Sequence, residues 1–433
     1  MNHGKNKMMK EIYEKVDDLW EEEVRFLQHI GRFPSTLGNE GALQSFFANY
    51  FKNELKLEVD SFVPDVKELS VHPAFSVPEW SYEGRPVVIG SKKGKRKKTG
   101  KSLILQGHVD VVSPEPSSAW DYDPWGATIV GDKMYGRGIQ DMKSGIAAMI
   151  FAYRAVKEAG YELGADLSFQ TVIEEECTGN GALAALMRGY KADGALIPEP
   201  FAQKAVISQI GVIWLRVKVK GSGAHTERAY QAVNAIEKGY IIIKALETYR
   251  NYINNRRKHK DYKDHPHPLN VNVGTFHSGD WPSSVPSECV LEARVGFYPD
   301  ENPADIKQEV KRWLLEAAVK DSWLKKNPPE ITFYGFHADG VSLDQSLELF
   351  EVLRKSHEET SHTPFETTSI TCTTDIRFFN LYFGIPATCY GPAGGNMHGS
   401  NEWVDLRSMK EVTKVYSRFL THWCNAEKEN KQA

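Results

Sequence analysis

The chain has 433 residues, of which 41% are hydrophobic and 25% are charged, and its formal net charge is −4. This length predicts two or more domains, and the composition is typical of a soluble globular protein. The weak negative charge argues against nucleic acid or an anionic membrane as a partner. The sequence contains no run of 18 apolar residues, so it predicts no membrane span. Five scattered cysteines, never spaced as C-x-x-C, predict a reduced, cytoplasmic protein without a structural zinc module.

The first half of the chain alternates between helical and strand-like patterns. Helical spacing of apolar residues covers residues 8–30, 39–55, 144–159 and 181–189. Strand-like runs cover residues 56–62, 86–90, 102–106, 166–173 and 194–198. This alternation predicts an α/β sheet, and such sheets usually bind their ligands where strands end.

The pattern changes after residue 211. Strand, helix, strand, strand, helix and strand follow in that order, which predicts an inserted ferredoxin-like α+β domain over residues 212–328. Its elements are expected at 212–219, 229–253, 269–276, 288–298, 303–320 and 331–335. The chain then returns to the first domain, through helices at 345–357 and 406–423 and strands at 368–372 and 386–390. We therefore expect a discontinuous first domain of residues 1–211 and 329–433.

Five candidate metal ligands follow predicted strands of the first domain, although between 23 and 199 residues separate them. They are His108, Asp141, Glu176, Glu199 and His398. Two histidines and three carboxylates suit two zinc-like ions, with one carboxylate shared between them. Two such ions lower the pKa of a shared water, and a further carboxylate must then take its proton and pass it to the leaving group. One of the adjacent glutamates at 174–176 can serve as that base.

Asp110 is the expected partner of His108. In an extended chain, residues two apart lie on the same side. The Asp110 side chain can therefore accept the other imidazole N–H and select the ring tautomer that leaves one nitrogen for a metal.

Five separate motifs occur in one order along the chain. They are Gln106-Gly107-His108-Val109-Asp110, Gly136-Arg137-Gly138 with Asp141-Met142-Lys143, Glu175-Glu176, Glu199-Pro200 and Met397-His398. Together they resemble the co-catalytic zinc hydrolases related to acetylornithine deacetylase, succinyl-diaminopimelate desuccinylase, aminoacylase and carboxypeptidase G. The resemblance implies a mixed-sheet, zinc-exopeptidase-like catalytic domain with an inserted ferredoxin-like lid that forms a homodimer. It also implies two Zn²⁺ ions per subunit, with Co²⁺ or Mn²⁺ as substitutes.

The same resemblance implies a role for each matching residue. His108 and Glu199 would hold the first ion, Glu176 and His398 the second, Asp141 would bridge them, and Glu175 would be the general base. Asp110 would orient His108, and Glu174, which stands where the family usually has Asp, would be structural. His225, in Gly-Ser-Gly-Ala-His, would stabilise the oxyanion, often in the active site of the partner subunit. Arg294 would meet a substrate carboxylate.

One departure from the family pattern concerns substrate binding. Many relatives have an Asn in the lid where this chain has Ser284, and Trp281-Pro282 add bulk beside it. The departure points to a deacylase that cleaves the amide bond of a small N-acylated amine or amino acid through a zinc-bridging hydroxide. A carboxypeptidase or dipeptidase and an N-formyl-aminopyrimidine deformylase remain as alternatives. A non-catalytic binding protein is disfavoured, because such a protein has no use for a general base.

Overall fold

The computed structural model describes residues 2–95 and 99–429. Its α-helices are α1 (Asn2–Gly31), α2 (Gly41–Asn53), α3 (Val66–Leu69), α4 (Ser144–Glu158), α5 (Asn180–Met187), α6 (Ala235–Arg256), α7 (Pro303–Ala318), α8 (Glu348–Ser361), α9 (Ile376–Tyr382) and α10 (Leu406–Trp423). Across the described ranges, no helix combines the length and the apolar character needed to cross a membrane.

Short strands outnumber the helices. They are β1 (Glu58–Phe62), β2 (Val87–Lys92), β3 (Leu103–His108), β4 (Thr128–Val130), β5 (Lys133–Tyr135), β6 (Tyr161–Glu162), β7 (Leu167–Val172), β8 (Gly194–Ile197), β9 (Ala205–Gln209), β10 (Gly211–Lys220), β11 (Ala224–His225), β12 (Val271–Ser278), β13 (Ser284–Val285), β14 (Glu288–Phe297), β15 (Glu330–Ala338), β16 (Val341–Ser342), β17 (Thr367–Ile370), β18 (Ala387–Cys389), β19 (Gly394–Gly395), β20 (Trp403–Asp405) and β21 (Glu427–Lys428).

A six-stranded mixed sheet forms the centre of the first structural unit, in the order β1-β2-β7-β3-β8-β18. Strands β7, β3, β8 and β18 run parallel, whereas β1 and β2 are antiparallel to their neighbours. Every residue of β3 is buried, as expected for a central strand covered on both faces. The α/β class of the first unit is therefore confirmed.

Helix α4 packs closely against the sheet because its residues are small. A Cβ atom at Gly145 would lie 2.1 Å from the carbonyl oxygen of Pro198, so only glycine fits there. This contact places the start of α4 directly beside the end of β8. The helix therefore holds the segment before it, which contains Asp141, against the strand end that precedes Glu199.

A four-stranded antiparallel sheet forms the second unit, in the order β12-β14-β10-β15. With α6 after β10 and α7 after β14, the chain order is β-α-β-β-α-β, so the ferredoxin-like order is confirmed. A second hydrophobic core lies between this sheet and its helices. The last strand of this order, Glu330–Ala338, pairs with β10 although it follows the boundary that we placed at residue 328.

A small four-stranded sheet, β19-β20-β5-β4, joins two remote parts of the first unit. Its central ladder pairs Tyr135 with Trp403 and Met134 with Val404. The segment that leads to Asp141 is thereby placed next to the loop that follows His398.

Candidate active site

Most of the candidate ligands lie at or just after the ends of three adjacent parallel strands. His108 is the last residue of β3, and its neighbour β7 ends at Val172, just before the glutamates 174–176. On the other side, β8 ends at Ile197, two residues before Glu199. Because the carboxyl ends of parallel strands share one edge of a sheet, these side chains converge there.

The five predicted ligands form one continuous group. The Nε2 atom of His108 lies 3.1 Å from an Asp141 carboxylate oxygen and 3.6 Å from a Glu199 oxygen. The Nε2 atom of His398 lies 3.3 Å from the other Asp141 oxygen and 3.0 Å from a Glu176 oxygen. Asp141 therefore lies between the two histidines, as the bridging position requires.

Within residues 2–95 and 99–429, two sets of three side chains have ligand atoms close enough to hold an ion. One set is His108, Asp141 and Glu176, and the other is His108, Glu175 and Glu199. Glu175 thus lies within reach of the same position as the expected ligand Glu199. The geometry alone makes Glu175 a possible ligand as well as a possible base.

Asp110 contacts His108 differently from our expectation. The Nδ1 atom of His108 is 2.9 Å from the backbone carbonyl oxygen of Asp110, whereas the nearest carboxylate oxygen is 3.7 Å away. The Asp110 carboxylate instead accepts the backbone N–H groups of Glu175 and Glu176, at 3.3 and 3.1 Å. The tautomer is therefore selected by the backbone, and the side chain holds the turn that carries the two glutamates. Burial raises the pKa of the Asp110 carboxyl to about 7.

Neighbouring carboxylates favour the charged form of both histidines. Burial alone would lower the pKa of His108, but the hydrogen bond to Asp141 and the charges of Glu199 and Asp110 raise it well above its ordinary value. The charge of Glu176 raises the pKa of His398 to about 11. Burial opposes ionisation of Asp141, yet hydrogen bonds from both histidines bring its pKa below the ordinary value.

Two of the glutamates in this group resist ionisation. Burial, together with the charges of neighbouring carboxylates, raises the pKa values of Glu175 and Glu199 well above the ordinary range. One oxygen of Glu199 is buried and has no hydrogen-bond partner in the described structure. A buried, unpartnered carboxylate oxygen is costly unless a cation or a donor meets it. The residues present therefore fit a centre that holds divalent cations.

Glu174 anchors the turn that carries Glu175. Its backbone has a φ of 68°, which is in the left-handed region and unfavourable for a side chain of this size. Its buried carboxylate accepts hydrogen bonds from Tyr82 at 2.6 Å, Thr178 at 2.7 Å and the Trp80 indole, and pairs with Arg85 at 2.8 Å. These contacts support the expected structural role of Glu174.

A cavity of about 300 Å³ opens onto this group. Asp141, Glu175, Glu176, Glu199 and His398 contribute one wall. The second unit contributes Trp214 of β10, Arg294 of β14 and Phe336 of β15 to the lining. A cavity of this size, with aromatic walls and a few polar groups, is typical of a small-molecule site.

Arg294 of β14 lies in the cavity wall. Trp214 is its partner in the β10–β14 ladder, and its guanidinium donates to the carbonyl oxygen of Thr371 at 3.2 Å. Burial lowers its pKa, and among the described residues no charge from a neighbouring carboxylate opposes that shift. A half-buried guanidinium of this kind is suited to meet an anionic or carbonyl group of a ligand.

His225 and Ser284 lie outside this cavity. They face each other in the short ladder between β11 and β13, and both are exposed. The Nδ1 atom of His225 accepts the backbone N–H of Glu227 at 3.2 Å. The structure therefore brings these two residues together, but not to the candidate metal ligands of their own chain.

The aromatic part of the cavity wall was not predicted from the sequence. Trp214 and Phe336 meet edge to face, with ring centroids 5.2 Å apart. Trp214 stands in an alternating strand pattern and Phe336 lies beyond the expected domain boundary, so no local signal marked either residue. Only the pairing of β10 with β15 brings them together.

The fold and the ligand group define a hydrolase-like metal site at the edge of a mixed sheet, and comparisons with known proteins agree. Residues 104–422 match the model of "Peptidase family M20/M25/M40". The chain is 28% identical to N-formyl-4-amino-5-aminomethyl-2-methylpyrimidine deformylase of Bacillus subtilis, with 98% of each chain covered.

Solved structures show the same fold. The di-peptidase Dug1p of Saccharomyces cerevisiae is similar with a TM-score of 0.79 and 15% identity, over 96% of this chain and 98% of the other. A Bacillus subtilis protein described as a dinuclear metal binding peptidase of the M20 family is similar with a TM-score of 0.59 and 12% identity, over 93% and 98%.

The chain belongs to peptidase family M20/M25/M40. The expected kinship with co-catalytic hydrolases is confirmed, and so is the expectation of a metal-dependent enzyme that hydrolyses amide bonds.

Proposed function

We propose that this protein removes a short acyl group from the nitrogen of a small amine that carries a planar ring. One observation carries the proposal: a group of histidines and carboxylates, most of them buried, lines a cavity of only about 300 Å³ that also has aromatic walls. The cavity suits a single-ring amine. The Bacillus subtilis relative is named as a deformylase of an N-formyl-aminopyrimidine, so this compound class is the first to test.

The metal ions are proposed to be two Zn²⁺, with Co²⁺ or Mn²⁺ as substitutes. His108 and Glu199 would hold one ion, Glu176 and His398 the other, and Asp141 would contact both. The mixture of imidazole and carboxylate ligands favours zinc or a similar transition metal. When bound, the ions would make a water nucleophilic near neutral pH and polarise the scissile carbonyl.

Glu175 is proposed as the residue that moves the proton. Its carboxylate would accept the proton of the attacking water and return it to the nitrogen of the leaving amine. Burial and the charges of neighbouring carboxylates raise the affinity of Glu175 for a proton, which suits that role. The backbone N–H groups of Glu175 and Glu176 donate to the Asp110 carboxylate, and these hydrogen bonds hold the turn that carries Glu175.

Trp214 and Phe336 are proposed to bind the ring of the amine. A planar ring packs well against an indole face, and burial of one such ring stabilises a complex by about 1.5–3 kcal/mol. The pair lines the same cavity as Glu175, so a ring bound against it would place its acyl group within the same small space as the carboxylates.

A dipeptidase activity is the second candidate, and Arg294 is the observation that favours it. A half-buried guanidinium in the cavity wall could bind the carboxylate of a dipeptide. In the deacylase, the same group would instead donate to a ring nitrogen or to the acyl oxygen.

The protein is also proposed to be a cytoplasmic homodimer that pairs through its second unit. The five cysteines are free, as expected in a reducing compartment. Exposed apolar side chains of the second unit, including Tyr240, Trp281 and Val319, supply a surface for pairing. His225 is exposed and does not line the cavity of its own chain, so it would serve the partner's active site.

The test compares defined amides with metal-loaded protein. Chelator-treated protein is reloaded with Zn²⁺, Co²⁺ or Mn²⁺, and amine release is followed from N-formyl and N-acetyl derivatives of single-ring amines, from aliphatic N-acyl amines and from dipeptides. We expect metal-dependent turnover of the ring amines above all others. The variant Trp214→Ala should raise KM for ring amines about tenfold or more, with little effect on aliphatic amides.

Arg294→Gln is the matched variant for the second candidate. If dipeptides gave the highest kcat/KM and Arg294→Gln abolished their binding, the deacylase proposal would be replaced by the dipeptidase. If the parent protein and Trp214→Ala each hydrolysed ring amides and aliphatic amides equally well, the proposed role of the aromatic wall would be wrong.

A further inference from the structure

A buried ion pair between Arg137 and Glu402 lies beside the two candidate ligands that come from loops. The side chains are 2% and 1% exposed, and the guanidinium donates directly to the Glu402 carboxylate. Arg137 belongs to the Gly-Arg-Gly motif, to which we assigned no role, and Glu402 carried no signal in the sequence.

Glu402 holds the backbone of Asp141. One of its oxygens accepts the backbone N–H of Gln140 at 2.9 Å and that of Asp141 at 3.1 Å. The other oxygen accepts from Arg137. The carboxylate therefore fixes the peptide units at the residue proposed to contact both ions.

Arg137 holds the backbone around His398. Its second terminal nitrogen donates to the carbonyl oxygens of His398 at 3.2 Å and Gly399 at 3.0 Å. This loop needs such support, since His398 has a φ of 60° and its side chain is 47% exposed. A planar guanidinium can reach a carboxylate and two carbonyl oxygens at once, which the single ammonium of a lysine cannot do.

We propose that Arg137 and Glu402 are positioning residues that set the separation of Asp141 and His398 for metal binding. The ion pair links the backbones of the two ligands Asp141 and His398. Replacing Arg137 or Glu402 should therefore change the relative position of those ligands. The proposal rests on the metal centre of the proposed function. It extends that function by naming residues that touch neither ion nor substrate.

The test measures metal affinity rather than activity. Metal-free parent protein, Arg137→Lys and Glu402→Gln are titrated with Co²⁺ by calorimetry, and the visible absorption of bound Co²⁺ is recorded. Arg256→Lys is the matched control, because Arg256 forks onto Glu309 and Glu301 in the second unit, away from the cavity.

We expect the parent protein to bind two ions. Arg137→Lys should bind at least one of them about 10–100-fold more weakly, as is common when partners of metal ligands are changed. The absorption of the weakened site should shift, and Arg256→Lys should bind both ions as the parent does. Glu402→Gln keeps an oxygen for the backbone N–H groups but places an amide against Arg137, so it too should lose affinity.

Three results would count against these ideas, and they are distinguishable. A folded parent protein that binds no ion would remove the metal centre itself. Two ions bound with parental affinity and an unchanged Co²⁺ spectrum, in whichever of the Arg137 and Glu402 variants folds, would overturn the positioning role. An equal loss of affinity in Arg256→Lys would also overturn it, because the effect would then be general destabilisation.

Discussion

The stability of this protein should depend on pH through Glu23, a buried carboxyl on α1. One of its oxygens accepts a hydrogen bond from the Thr413 hydroxyl of α10 at 2.6 Å, and the other has no partner among the described residues. Burial raises the pKa of Glu23 to about 8, although Thr413 and the charges of Lys410 and Arg154 act in the opposite direction.

The direction and size of this pH effect on the free energy of unfolding follow from the protonation of Glu23 in the folded and unfolded chains. In the unfolded chain Glu23 ionises near its ordinary pKa of 4.5, whereas in the folded chain it stays protonated up to about pH 8. Between these values the folded state binds more protons, so the free energy of unfolding falls as the pH rises. The stabilisation is complete below about pH 4.5 and lost by about pH 8, and at 1.36 kcal/mol per pH unit it amounts to about 5 kcal/mol.

Glu23→Gln removes this dependence, because glutamine keeps an oxygen for Thr413 and never ionises. Relative to the parent, the variant should gain about 3 kcal/mol between pH 5.5 and pH 9, equivalent to a rise of a few degrees in the relative Tm. Thermal unfolding of both proteins across this range measures the change. Glu21→Gln, an exposed position on the same helix, is the control and should leave the pH dependence unaltered. A Glu23→Gln variant whose stability parallels that of the parent at every pH would show that Glu23 is ionised in the folded protein.

Further predictions concern the active site and assembly. Glu175→Gln should lower kcat by about 10²–10⁴-fold while two ions remain bound, whereas Glu199→Gln should lose metal, as elemental analysis after dialysis would show. If Glu175→Gln instead lost an ion, Glu175 would be a ligand. Glu174→Gln should lower the free energy of unfolding by at least about 1.5 kcal/mol in denaturant titration, because it weakens charged hydrogen bonds to Tyr82, Thr178 and Trp80. Chelation should lower Tm and added Zn²⁺ should restore it, since ions that bind only the folded state stabilise it. Light scattering should give a mass of about twice the 48.9 kDa of one chain, and a monomer at micromolar concentration would contradict the proposed dimer.

Much of the candidate site could be predicted because its residues stand at points where local signals are strong. His108 and Glu199 follow short apolar runs, and such runs predict buried strands whose ends meet at one edge of a sheet. The ferredoxin-like order could likewise be read from the change in apolar spacing after residue 211. These patterns depend on which side chains must be buried, and that requirement is visible residue by residue.

The partners of those residues depended on packing between remote segments. The sequence suggested that the Asp110 side chain would orient His108, but the backbone carbonyl does so and the carboxylate holds the glutamate turn instead. His225 carried a recognisable motif, yet its place outside the cavity of its own chain follows from the ladder with Ser284.

The sequence by itself determined the family, and it placed the candidate ligands and the candidate base Glu175 near strand ends. The tertiary structure decided what surrounds them: the aromatic wall of Trp214 and Phe336, and the ion pair of Arg137 and Glu402. The physical reason is that burial leaves a periodic trace along the chain, whereas contact between two distant segments leaves none. Each of those pairs forms only after a sheet has brought its two strands or loops together.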